Sequence, residues 1–169
     1  MNMIDLTKNA ELLMGLIFIA SLSLILGALG FQHLGELAPC DLCYKQRWAY
    51  YIAIAALPFA LFMYGRDLPH ISRIILFVMT VVFFANMVLG IYHSGVEWKL
   101  WAGPSGCSAT GNLDATIDLL KSLETVKVVP CDKVQWSFLG ISMAGYSALA
   151  SLGLGLLSLF TALKACDKA

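Results

Sequence analysis

Leu12 to Phe31 read LLMGLIFIASLSLILGALGF, a run with no charge and no proline. As a helix rising ~1.5 Å per residue, those residues cover a hydrocarbon core of ~30 Å, so the run predicts a membrane span at 12–31. It exceeds the ~7–15-residue apolar region of a signal peptide, and Asp5, Lys8 and Glu11 before it mix signs, so it reads as a retained span. A second charge-free run, Trp48 to Met63, extends to a span at 45–63 if Lys45 and Arg47 snorkel at the interface, with Pro58 as a kink. IILFVMTVVFFANMVLGIY, Ile74 to Tyr92, gives a third at 74–92, and a Gly-, Ala- and Ser-rich run gives a fourth at 142–163, small residues that let helices approach closely.

Composition agrees. Of 169 residues, 59% are hydrophobic and 13% charged, against roughly 25% charged in soluble domains, which excludes an ordinary soluble domain. Eleven basic residues balance eleven acidic ones, so nothing favours nucleic acid or a disordered acidic chain. The expected fold is an all-α integral membrane protein, one domain over 1–169. It is a four-helix transmembrane bundle with two extracytoplasmic loops at 32–47 and 94–140, the second carrying a short amphipathic helix. Leu113, Ile117, Leu120 and Leu123 recur there at helical spacing among Asp114, Asp118, Lys121 and Glu124. Lys8, Arg66, Arg73, Lys164 and Lys168 crowd the short segments on the terminal side, which makes that side cytoplasmic.

The cysteines are not scattered. Cys40, Cys43, Cys107 and Cys131 fall in the two outward loops, and Cys166 follows the last span. In an oxidising compartment four cysteines sustain two disulfides, with three connectivities open. Pro39-Cys40-Asp41-Leu42-Cys43 is a C-x-x-C, a spacing more often redox-active than structural. A helix starting there offers its positive N-terminus to a thiolate, and Arg47, four residues after Cys43, shares its face; both favour a Cys43 thiolate. The bland alternative is a static loop staple beside an interfacial arginine. A Cys₄ zinc centre is disfavoured, because Cys107 and Cys131 lack the second C-x-x-C spacing.

Taken together, these residues resemble the disulfide bond formation protein B (DsbB) family of bacterial inner-membrane thiol:quinone oxidoreductases. The resemblance covers essentially the whole chain. It rests on Phe31-Gln32-His33, on Pro39-Cys40-x-Leu42-Cys43-x-x-x-Arg47, on Cys107 and Cys131, and on Gln135-Trp136-Ser137-Phe138-Leu139-Gly140. It implies oxidation of a periplasmic DsbA-like, thioredoxin-fold partner, with the electrons passed to a quinone, ubiquinone or menaquinone. By the same resemblance Cys107, paired with Cys131, forms the mixed disulfide with the partner. Cys131 then attacks Cys40, and Cys43 is released beside Arg47 and the quinone ring. His93 resembles the family histidine near the quinone; its bland reading is an interfacial side chain. Trp136 reads as an aromatic anchor. The expected partners are the DsbA-like protein and membrane lipid, with no metal, no nucleic acid and no oligomer. The rival readings are a disulfide-stapled structural membrane protein and a vitamin K epoxide reductase-like enzyme, in which the C-x-x-C usually lies near the last spans.

Overall fold

A computed structural model describes residues 10–104 and 130–165. Four helices dominate: α1 (Ala10–His33), α2 (Asp41–Gly65), α3 (Pro69–Glu97) and α4 (Met143–Lys164), each long and apolar enough to cross a membrane. At 22 to 29 residues they are about 33–44 Å long, beyond the ~30 Å core. The protein is a multi-pass membrane protein. Its packing runs α1 on α2, α2 on α3, α3 on α4 and α4 back on α1, which closes a ring. The fold expectation holds for these elements; the amphipathic helix expected at 113–124 lies outside the described residues.

Helices α1, α2 and α3 run past their expected spans at both ends. α2 starts at Asp41 instead of 45 because Cys40 caps it, its sulfur accepting from the Cys43 backbone N–H at 3.3 Å. Lys45 pairs with Asp41 at 2.6 Å on the exposed side of the same turn. α3 starts at Pro69, a residue suited to the first helical turn, where no backbone donor is needed. It continues five residues beyond Tyr92 and buries His93 and Ser94 inside the bundle. The first connecting loop is correspondingly shorter than 32–47, and the second begins at 98 instead of 94. α2 runs through Pro58 as one helix.

The core is apolar and tight. Met14, Ile17, Leu57, Leu76 and Phe83 are fully buried, while Ile19, Leu26, Val81 and Leu149 point outward from the same helices. Helices apolar on both faces suit lipid outside and protein inside. Small residues set the closest approach: a Cβ at Gly90 would lie 2.9 Å from the Ala148 Cβ, so α3 and α4 touch nearly backbone to backbone. Polar atoms in this core bond between helices. Tyr50 Oη lies 2.8 Å from Ser151 Oγ, which accepts from Asn86 Nδ2 at 2.8 Å, tying α2, α4 and α3 together. Ser158 donates to the Leu76 carbonyl at 3.0 Å.

Among the described residues, one element is not helical. Gln135-Trp136-Ser137-Phe138-Leu139-Gly140 leads into a two-residue hairpin, β1 (Ser137–Phe138) against β2 (Ile141–Ser142), antiparallel, with Phe138 opposite Ile141. Leu139 and Gly140 both have positive φ, 51° and 78°, as a two-residue hairpin turn of the favoured hand requires. Gly140 meets that without strain; Leu139 does not. Ser142 ends the hairpin and caps α4, accepting from the Gly145 N–H at 3.3 Å. The hairpin, the C-x-x-C and the end of α3 gather at one end of the bundle.

Candidate functional site

Cys40 and Cys43 sit at the first turn of α2, facing the last turns of α3. Their sulfurs are 2.9 Å apart and both are free thiols. A bonded pair needs ~2.05 Å, so once two electrons and two protons are removed, a small side-chain movement closes the bridge. Cys40 is buried and Cys43 half-buried. His93 places Nε2 3.6 Å from Cys40 Sγ, and the Gln46 side-chain amide holds Nδ1 at 2.8 Å. One turn further along α3, a Glu97 carboxylate oxygen lies 3.8 Å from the same Nε2. Gln46 and Glu97 were not singled out in the sequence, because α2 and α3 must pack before either meets His93.

Cys131, from the second loop, is disulfide-bonded. It is buried in one small cluster with Cys40 and Leu42, against which Cys43, Leu89 and Tyr92 pack. Two cysteines from different loops are thus neighbours. Cys107 and Cys166 lie outside the described residues.

These contacts favour an anion on Cys40. Its thiol is pulled from 9.0 down to about 4, first by the hydrogen bond with the Cys43 thiol, then by the His93 ring and the Cys43 backbone N–H, against the opposing effect of burial. The resulting stabilisation of the dithiol form grows as pH rises from about 4 toward 9.0 and vanishes below about 4. A stabilised reduced form makes the corresponding disulfide more oxidising. Each tenfold change in that stabilisation is worth about 1.4 kcal/mol, or about 30 mV for two electrons. His93→Ala is therefore expected to raise the Cys40 pKa and make the Cys40–Cys43 disulfide less oxidising by about 30 mV or more. Equilibration with a thiol redox buffer reads the change, and an unaltered potential would show that His93 does not act on Cys40.

Arg47 shares the helix face of Cys43 but turns toward α1. Its Nη1 donates to Gln32 Oε1 at 2.7 Å and its Nη2 to the Ala28 carbonyl at 3.3 Å. Arg47 is 8% exposed and borders a cavity of about 380 Å³. Cys43, Gln46, Arg47 and Tyr50 form one wall of that cavity, α1 from Ser23 to Phe31 a second, and Trp136, Phe138 and Tyr146 a third. The aromatic wall is continuous: Trp136 stacks on Phe138, with ring centroids 6.2 Å apart, and tilts against Phe31 at 5.2 Å. Trp136, read as an interfacial anchor, is thus part of a cavity wall. His93 does not line the cavity; it lies behind the C-x-x-C and reaches that space through Gln46.

An apolar cavity with one cation and one thiol at its edge suits a flat, lipid-soluble molecule carrying polar ring oxygens. The sulfurs beside it are placed for thiol–disulfide exchange.

Comparison with known proteins agrees with this chemistry. The family profile described as "Disulfide bond formation protein DsbB" matches residues 10–161. A protein named Disulfide bond formation protein B from Methylococcus capsulatus is 31% identical over 154 residues, covering 87% of this chain and 89% of the relative. One of the same name from Nitrosococcus oceani is 29% identical over 137 residues, covering 77% and 78%. No solved structure matches.

Proposed function

The chain belongs to the disulfide bond formation protein DsbB family, and on that premise we propose that it oxidises the dithiol of a periplasmic, DsbA-like thioredoxin-fold protein and delivers the two electrons to membrane quinone. Membership makes it a disulfide-forming oxidoreductase and sets aside the vitamin K epoxide reductase-like alternative. The observation that carries the fuller reading is the burial of Cys131 against Cys40.

The relay balances as follows. A partner thiolate attacks the disulfide between Cys107 and Cys131 at Cys107, and Cys131 leaves as a thiolate. The partner's second thiol then displaces Cys107 and departs oxidised. Cys131 attacks Cys40 of the Cys40–Cys43 disulfide, forming Cys40–Cys131 and freeing Cys43. Attack by Cys107 on Cys131 restores the loop disulfide and returns Cys40 as a thiol. Two electrons and two protons now reside on Cys40 and Cys43.

The cavity residues fit a quinone ring, which when bound supplies an acceptor for those two electrons and two protons. Cys43 presents its sulfur at the wall, and Arg47 holds a fixed positive charge where negative charge develops. Trp136, Phe138 and Phe31 offer flat apolar faces and keep water out. Re-formation of the Cys40–Cys43 disulfide closes the cycle. Under this reading the membrane is the bacterial inner membrane, the C-x-x-C end is periplasmic and the termini are cytoplasmic.

Purified protein in lipid, given a reduced DsbA-like partner, is expected to reduce ubiquinone or menaquinone analogues, one quinone per partner disulfide formed. No reduction of either class by folded protein would overturn the reading and favour a stapled scaffold.

A further inference from the structure

We propose that Cys40, Cys43, His93 and Glu97 form a binding site for a thiophilic divalent cation of the Zn²⁺ type, open only while both thiols are reduced. The two sulfurs and a ring nitrogen of His93 lie within 4.8 Å of one another. His93 Nε2 is 3.6 Å from Cys40 Sγ and 3.8 Å from Glu97 Oε1. Around tetrahedral zinc, with Zn–S of ~2.3 Å and Zn–N or Zn–O of ~2.0–2.2 Å, neighbouring ligand atoms stand about 3.3–3.8 Å apart. Two separations already have that size. The sulfurs, at 2.9 Å, need to part by less than about 1 Å, and the Glu97 carboxylate, which stands outside the 4.8 Å cluster of the other three groups, needs to turn toward the sulfurs to become the fourth ligand.

A second observation points the same way. The Glu97 side chain is 6% exposed, and its Oε2 is buried with no hydrogen-bond partner. A desolvated carboxylate oxygen left unpartnered is costly, and a cation completes it. The Gln46 amide holds the far ring nitrogen of His93 and keeps Nε2 turned to the sulfurs, the outer support that metal-binding histidines usually have. Half-buried Cys43, on the cavity wall, gives a route in.

Binding involves no oxidation. Two thiols lose their protons to solvent, the cation takes two thiolates, one imidazole nitrogen and one carboxylate, and the net charge of the centre is −1. A Cys40–Cys43 disulfide has no thiolate to offer and releases the ion. The bound form also withholds Cys40 and Cys43 from exchange, so the cation acts as a brake on the reduced protein alone. This goes beyond the proposed relay and uses neither quinone nor partner.

The test uses the full chain in detergent with Cys107→Ser, Cys131→Ser and Cys166→Ser, leaving Cys40 and Cys43 as the only thiols. It is reduced, titrated anaerobically with Co²⁺, and then challenged with Zn²⁺. One Co²⁺ per chain, with sulfur-to-metal charge-transfer and tetrahedral visible bands that Zn²⁺ abolishes, is expected. Oxidation to the disulfide should erase the bands, and His93→Ala and Glu97→Gln should each weaken binding about tenfold or more. Should the triple variant lose helical circular dichroism, the reduced wild-type chain against Cys40→Ser carries the same comparison. Equal affinity in His93→Ala and Glu97→Gln would reduce the site to an ordinary vicinal dithiol and overturn the proposal. So would binding that survives oxidation, or no binding to reduced protein. Failure of quinone reduction would leave this titration unaffected.

Discussion

Replacing Cys43 by serine is expected to lower quinone reduction about a thousandfold or more, the scale on which loss of a reacting nucleophile acts. It should also leave Cys40 joined to Cys131. The reason is geometric. Cys43 is the only one of the described cysteines that borders the cavity, and Cys40 is buried behind it beside Cys131. Without the Cys43 sulfur, Cys40 has one neighbouring redox partner left: attack by Cys107 can still open the interloop bridge, but the Cys40 thiol so released has no second thiol to close on and can only re-form it. Helix α2 keeps its cap, because the Cys43 backbone N–H still reaches Cys40 Sγ. Peptide mapping under non-reducing conditions detects the bridge, and quinone absorbance follows turnover. A variant that turns over at more than a few per cent of wild type, or that accumulates no Cys40–Cys131 peptide, would remove Cys43 from the exit of the relay.

The second large effect is at Arg47. Arg47→Ala is expected to lower kcat/KM for quinone about 10²–10³-fold, the loss seen when one fixed electrostatic donor is removed from a dry site. A single-turnover exchange between the partner dithiol and the loop disulfide should continue. Arg47→Lys should recover only part of the loss. Lysine keeps the charge, but a point ammonium on a flexible stem does not reproduce a planar fork that holds Gln32 and the Ala28 carbonyl together. Steady-state kinetics at varied quinone, paired with rapid-quench analysis of partner oxidation, separate the two steps. Equal loss in both would mean that Arg47 supports the fold at the α1–α2 contact and not the acceptor.

Much of the architecture was legible in the sequence because lipid imposes a simple rule: a helix crossing ~30 Å of hydrocarbon must be apolar along its length. The runs beginning at Leu12 and Ile74 obey it openly. What that rule misses are polar residues that continue a helix once a neighbour hides them. His93, Ser94 and Glu97 look like the start of a loop after Tyr92, yet they complete α3 because α2 offers Gln46 and the C-x-x-C as company. The pattern Cys43-x-x-x-Arg47 does place the two on one face, but rotamer choice sends the guanidinium toward Gln32. Trp136 explains itself as an anchor until the hairpin folds it against Phe31 and Phe138. Its position depends on the turn at Leu139 and Gly140, and no periodicity announces that turn.

The shared burial of Cys131 and Cys40 has a kinetic meaning. Cysteines packed into one buried cluster react at an effective concentration far above anything free thiols reach, and well-oriented intramolecular pairs attain about 10⁵–10⁸ M. Exchange between the loops is then first order and indifferent to how much protein the membrane holds. Under the proposed relay, the encounters with the soluble thiol carrier and with quinone are the collisions that dilution slows.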